Sequence, residues 1–188
     1  MPGQRLGSLI GAVFGLIYIL VNTGALPLAA RLPLRALGLA AFLIVMLALH
    51  RRRGRASTGG NAPAQAGWLG RTYWTIVAAE AAALAAGLAL LNGPFHTPDA
   101  GVAWVSTVVG VHFVALGAAF RQRFFHYLGA AVAVCGLAGL GLAASGAATA
   151  LVAGISGIVP GMLLLAAAWS GAHRMPPAAR PSRAAAEP

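Results

Sequence analysis

Long apolar stretches alternate with short polar segments along the chain, and each apolar stretch has about the length of a membrane-spanning helix. A helix needs about 20 mostly apolar residues to cross a hydrocarbon core of about 30 Å. The pattern predicts six spans, over residues 6–23, 34–49, 72–91, 102–120, 127–145 and 149–169. We expect an all-α fold in which residues 1–170 form one polytopic membrane bundle of six transmembrane helices, and residues 171–188 form a mobile cytoplasmic tail.

The last two spans come from one run of 43 residues, 127–169, that carries no charge. One helix of that length would be about twice as long as the membrane is thick, so the run should turn back at "SGAAT". Pro33 is expected in the first turn of the second helix, where proline is tolerated. Pro160 should bend the last helix because it cannot donate to the carbonyl of Ser156.

The arginines predict the orientation of the bundle. If the N-terminus is cytoplasmic, eleven arginines lie on that side and only Arg31 and Arg35 lie on the other. The positive-inside rule therefore places both termini in the cytoplasm. Arg5 and the first apolar stretch also fit a cleaved secretory signal peptide, but the stretch is longer than the usual apolar region of such a peptide.

Composition excludes an ordinary soluble domain. Hydrophobic residues make up 59% of the chain, charged residues only 9%, and the mean hydropathy is +0.80. The net charge of +10 does not indicate a nucleic-acid partner, since the arginines lie at the edges of apolar runs. Abundant Ala, Gly and Arg without lysine suggests a bacterial origin. We expect a plasma membrane location, with the lipid bilayer, and either a second copy or another membrane subunit, as partners.

One arginine cluster could contact anionic lipid. It consists of Arg51, Arg52, Arg53 and Arg55, directly after the second span. Each arginine near an anionic membrane surface contributes about 1 kcal/mol to the free energy of membrane binding. A stop-transfer signal without a specific ligand is the simpler interpretation.

Small residues recur at helical spacing in the first and last spans. They are Gly7, Gly11 and Gly15 in the first, and Gly157 and Gly161 in the last. Small residues four apart let helix backbones approach closely in lipid. We expect them to serve packing inside the bundle, with dimerisation as the alternative.

The sequence carries no signature of a metal or cofactor site. His96 and Asp99 in the loop "NGPFHTPDAG" fall short of the three or four ligands that a metal requires. The glycines of "GLAGLGLAASG" lack the spacing of a dinucleotide site, and the single cysteine, Cys135, allows no intrachain disulfide. We therefore expect no cofactor, no metal and no catalytic residues.

The stretch "GISG", residues 154–157, resembles the Gly-x-Ser-Gly element of rhomboid intramembrane proteases. That family has a six-helix core and uses a serine with a histidine, so the resemblance implies Ser156 as a nucleophile. In rhomboids the serine helix precedes the histidine helix, whereas Ser156 follows His112 here. An enzyme of this type is the least favoured of the functions considered.

Two ionisable residues lie near the middle of apolar spans. Glu80 is nine residues from Arg71 and His112 is nine residues from Arg121, so each lies about 13 Å from the cytoplasmic edge. Ionised Glu80 would cost about 2.5 to 3.5 kcal/mol at a helix centre, which nearly cancels what the apolar residues of its span contribute. We therefore expect Glu80 to be protonated, to have a polar partner, or to be in contact with water.

The partner of Glu80 is predicted to be His112. The two spans should be antiparallel neighbours, and large residues on one face meet small residues on the other, as Tyr73 and Ile76 do against Ala115 and Ala119. The buried pair would be either a structural clasp, which the lack of further acids favours, or a relay in which the two groups share and pass on one proton.

The stretch "VGVHFVALGAAFRQRFFHYLG" resembles a segment of small multi-pass bacterial membrane proteins to which no activity is assigned. The resemblance covers Gly110 to Gly129 and implies an integral membrane protein. Two functions stay open. The first is a small-solute or proton-coupled transport protein that uses Glu80 and His112, and the second is a structural or accessory subunit in which the pair only fixes the bundle.

Overall fold

The computed structural model describes residues 2–53 and 70–173, without the side chains of residues 2–6, 52, 53 and 72. Every regular element in these two segments is helical. The elements are α1 (Pro2–Asn22), a 3-10 turn (Thr23–Ala25), α2 (Leu28–Arg53), α3 (Arg71–Asn92), a 3-10 turn (Pro98–Ala100), α4 (Gly101–Phe120), α5 (Arg123–Ala144), α6 (Thr149–Ala153), a π-helical turn (Gly154–Ile158) and α7 (Val159–His173).

Six helical segments of the described chain are long and apolar enough to cross a membrane. They are Gly7–Ala25, Leu28–Arg51, Tyr73–Asn92, Pro98–Phe120, Arg123–Ala144 and Thr149–His173. The last combines α6, the π turn and α7 into one span. The predicted all-α architecture is confirmed for the described residues, and the six segments have the length and composition of membrane-spanning helices. Most of the predicted tail lies outside the described residues.

The last span lies at the centre of the bundle. Half of this span is buried, whereas only 6% of the α3 span is. On one side α7 packs against α1 and α2, and on the other the π turn contacts α4 and α5. The α3 helix packs on α4 at the edge of the bundle. The α4 helix therefore connects α3 to the rest of the bundle, because it packs extensively on α5 and also contacts the last span.

The second span begins earlier than predicted. The α2 helix starts at Leu28, so Pro33 is its sixth residue and not a first-turn residue. The carbonyl of Pro27 accepts the amides of Ala30 and Arg31, both at 2.9 Å, and so starts the helix. The guanidinium group of Arg31 bonds to carbonyls of the turn after α1, and that of Arg35 bonds to Thr23 and to the carbonyl of Leu20 in α1. Long arginine side chains can reach the membrane edge from within a helix in this way.

The turn between α5 and α6 falls where the uncharged run was expected to reverse. The α5 helix ends at Ala144 and α6 begins at Thr149. Gly146 has a φ of +74°, a left-handed conformation that costs glycine little. The amides of Ser145 and Ala147 bond back to the carbonyls of Gly141 and Leu142, which satisfies the end of α5.

The glycines of α1 and α7 form a close helix crossing. A Cβ added to Gly15 would lie 2.8 Å from the carbonyl oxygen of Gly161, and one added to Gly161 would lie 2.8 Å from that of Gly15. Such contacts require glycine on both helices. Internal packing is therefore the role of this pair, while Gly7 has no neighbour within 4 Å of an added Cβ.

A π-helical turn directly precedes Pro160 in the last span, where the sequence predicts a bend. Just before the proline, the amide of Val159 bonds to the carbonyl of Gly154, five residues back, which is the wide spacing of a π turn. Proline supplies no N–H to the carbonyl of Ser156. That carbonyl instead accepts the hydroxyl of Ser106 on α4. Ser106 and Ser156 are both fully buried, so the bond replaces a missing backbone donor inside the bundle.

If Ser106 replaces the donor that Pro160 lacks, Ser106→Ala should lower the free energy of unfolding by about 1 kcal/mol. The loss should be clearly smaller in a Pro160→Ala background, where the backbone N–H is restored. Denaturation of the detergent-purified single and double variants measures this coupling.

Ser170→Ala is the matched control, because the hydroxyl of Ser170 bonds to the carbonyl of Ala167 in its own helix at 2.9 Å. Ser170→Ala should lower the free energy of unfolding by the same amount in the wild-type and the Pro160→Ala backgrounds. An equal loss for Ser106→Ala in both backgrounds would contradict this account.

Candidate functional site: a membrane-embedded acid and imidazole

The structure brings Glu80 of α3 and His112 of α4 together. The Nδ1 atom of His112 lies 3.0 Å from Oε2 of Glu80. A short connection makes the two helices antiparallel, so residues at matching depths face each other. Both lie well inside their candidate spans, Tyr73–Asn92 and Pro98–Phe120.

Neither member of the pair is fully enclosed by the described protein. The side chain of Glu80 keeps 20% of its surface accessible, and that of His112 keeps 14%. Although the two atoms are within ion-pair distance, Nδ1 of His112 makes no well-aligned hydrogen bond to any described residue. A carboxyl and an imidazole in such contact can exchange a proton, and the imperfect alignment leaves each able to take another partner.

A tryptophan fixes the C-terminal half of α3 on α4. The indole Nε1 of Trp104 donates to the carbonyl of Ala83 at 3.1 Å. The ring occupies the space beside Gly87, where any Cβ would collide with it. The tight Trp104 contact sets the distance between the helices and, with it, the approach of Glu80 to His112.

A chain of buried hydroxyl groups extends from the neighbourhood of this pair. The phenol of Tyr18 on α1 lies close enough to Glu80 to interact electrostatically with it. The same phenol oxygen is 3.4 Å from Oγ of Ser106. Ser106 in turn donates to the carbonyl of Ser156. Three spans thus contribute polar groups to this series of buried contacts.

Sequence reasoning missed Tyr18 and Ser106. A hydroxyl in an apolar helix can bond to a carbonyl one turn back in the same helix, so it is not by itself a signal. Thr107 does so, bonding to the carbonyl of Ala103 at 2.9 Å. The one available clue was Pro160, because it leaves the carbonyl of Ser156 in need of a donor.

The structure does not bring Ser156 and His112 together. The hydroxyl of Ser156 donates to the carbonyl of Val152 in its own helix, and its oxygen fills the space beside Gly139. On α4 the residue bonded to this turn is Ser106, six residues or about 9 Å along the helix from His112. Within the described residues no hydrogen bond links serine and histidine, and the imidazole contacts Glu80 instead.

The remaining candidate residues lie at the ends of helices. Arg51 is exposed near the end of α2, whose backbone continues through Arg52 and Arg53. The side chains of those two, and all of Arg55, lie outside the described residues. His96 and Asp99 are exposed in the connection between α3 and α4. No group of three potential metal ligands occurs in the described segments.

Comparison with known proteins adds no assignment. No protein-family profile, no curated protein and no solved structure matches the chain. The interpretation of the site therefore depends on its geometry, and the resemblance of Gly110 to Gly129 to bacterial multi-pass proteins stays a prediction.

Proposed function

We propose that the protein is a multi-pass protein of the bacterial plasma membrane that takes part in proton-coupled transport of a small solute, with Glu80 and His112 as its proton-binding site. The single observation that carries the proposal is the 3.0 Å contact between the two side chains inside candidate membrane spans, with both still partly accessible. Ionisable groups at such depth are costly and characteristically line proton or solute pathways.

The state of the contact favours proton exchange over a purely structural role. A clasp is most stabilising when it is dry and fully hydrogen-bonded, since an unsatisfied polar group in a low dielectric is costly. The Nδ1 atom of His112 does not meet the second condition, because it is buried and has no well-aligned hydrogen-bond partner among the described residues. Tyr18 adds a third titratable group within electrostatic range of the acid.

The position of α3 supports a second function, that of a structural or accessory subunit. This helix is the least buried span, and it is attached mainly along one face to α4. The Glu80 to His112 contact and the Trp104 to Ala83 bond are cross-helix polar contacts on that face. In this alternative the pair keeps α3 in place and its protonation carries no function.

Orientation forms part of the proposal. We propose that both termini are cytoplasmic, because eleven of thirteen arginines then lie on the inner side. A reporter fused after Arg183 should be cytoplasmic, and one inserted at Thr97, between α3 and α4, should be outside. Protease protection in membrane vesicles measures both positions, and finding the two reporters on one side would overturn the topology.

If Glu80 exchanges protons, Glu80→Gln should abolish proton flux without unfolding the protein. Glutamine keeps the size and hydrogen-bonding capacity of the side chain but cannot titrate. Proteoliposomes with an imposed pH gradient and an entrapped pH dye report the flux, and wild type should dissipate the gradient faster than the variant. Asp99→Asn is the matched control, since it removes an exposed carboxylate from the loop and should leave the flux unchanged.

Stability measurements on the same variants separate the two functions. Glu80→Leu should cost about 1 to 3 kcal/mol because it leaves His112 unsatisfied, while Glu80→Gln should cost little. If the pair is only a structural clasp, the variants should show these stability losses, and the wild-type protein should show no proton flux. If substitutions at Glu80 and His112 are additive, the two side chains do not interact, and both functions lose their basis.

A further inference from the structure

A second feature lies on the side of the bundle formed by α1, α2 and α7. A groove of about 390 Å³ opens there between α2 and the last span. Its walls carry only apolar side chains and glycine, among them Leu37, Ile44, Met162 and Trp169. These four are 41 to 62% exposed, so the groove opens outward toward the region that lipid would occupy. This side does not include Glu80 or His112.

The dimensions of the groove match one lipid chain. Along α2 it extends from Leu34 to Val45, a distance of about 16 Å at 1.5 Å per residue. That is roughly half of a hydrocarbon core of about 30 Å, which is the depth of a single leaflet. The groove begins near the α1 to α2 turn, where a head group would lie at the membrane edge.

Two arginines of α2 lie near this end of the groove. Arg31 is three residues, about one helical turn, before Leu34, and Arg35 directly follows it. The Nη2 atom of Arg31 donates to the carbonyls of Gly24 and Leu26 at 2.8 and 3.0 Å. Arg35 donates through Nε to Oγ1 of Thr23 at 3.0 Å and through Nη2 to the carbonyl of Leu20 at 2.9 Å. These bonds hold both guanidinium groups at the turn.

No carboxylate of the described residues balances the positive charge at the turn. Within the described segments the one ion pair is that of Glu80 and His112, so neither arginine has a carboxylate partner. Each guanidinium has five N–H donors, of which only some are used, and Nε of Arg31 is buried without any partner. An arginine pair with spare donors suits a phosphate group, which can accept several of them.

We infer that this groove binds one anionic phospholipid, with its phosphate on Arg31 and Arg35 and one acyl chain between α2 and α7. The apolar walls match the chain and the unbalanced charge matches the head group. This site is independent of the proposed proton chemistry, and it lies at the opposite end of α2 from Arg51.

The test is native mass spectrometry of the purified protein titrated with phosphatidylglycerol or with phosphatidylcholine. Wild type should bind one phosphatidylglycerol in preference to phosphatidylcholine. Arg31→Gln combined with Arg35→Gln should weaken phosphatidylglycerol binding about 30-fold, since each arginine contributes about 1 kcal/mol. Arg121→Gln with Arg123→Gln removes the same charge at the α4 to α5 turn and should change the affinity little.

A second variant keeps the test valid if loss of the arginines disturbs the turn. Ala166→Leu fills the groove from α7 and leaves both arginines in place. It should weaken binding of both lipids, whereas Ala82→Leu on the exposed face of α3 should not. Equal affinity for the two lipids, or unchanged binding in Ala166→Leu, would refute the inference. A lipid-free dimer that Ala166→Leu dissociates would refute it too, by assigning the groove to a second copy.

Discussion

The carbonyl of Ser156 is the constraint on which the arrangement of the bundle depends. Pro160 deprives it of a backbone donor in the middle of the most buried span, and hydrocarbon offers no water as a replacement. The hydroxyl of Ser106 supplies the donor and so fixes α4 against the last span. Because α4 also carries Trp104 and His112, the same bond sets the position of the surface on which α3 packs.

The candidate site is a consequence of how α4 is held in the bundle. This helix packs extensively on α5 and is bonded to the last span, α3 packs on α4, and the acid of α3 then meets the imidazole of α4 at 3.0 Å. Tyr18 joins the arrangement from α1, because its phenol contacts Ser106 and lies near Glu80. The α4 helix therefore carries both the hydroxyl that bonds to the carbonyl of Ser156 and the imidazole that contacts Glu80. A change at Ser106 should disturb the geometry of both.

The sequence predicted the features that depend on length, hydropathy and depth. The six spans, the turn after Ala144 and the depth of Glu80 and His112 follow from residue counting along helices of known rise. The predicted start of α2 was wrong, because the helix begins at Leu28, where the carbonyl of Pro27 accepts its first amides, and Pro33 is its sixth residue. The Trp104 contact and the hydroxyl chain depend on helix rotation and crossing, which no count along one helix supplies. The groove beside α2 was missed for the same reason.

The central claim is that Glu80 changes its protonation state while it lies within the membrane bundle. Infrared difference spectroscopy of the protein in lipid nanodiscs, recorded as the pH is varied, detects the carboxyl band of a buried acid directly. The account predicts a pH-dependent carboxyl band that disappears in Glu80→Gln, persists in Asp99→Asn and shifts when His112 is replaced. A band that does not respond to pH in wild type, or that survives in Glu80→Gln, would contradict the claim.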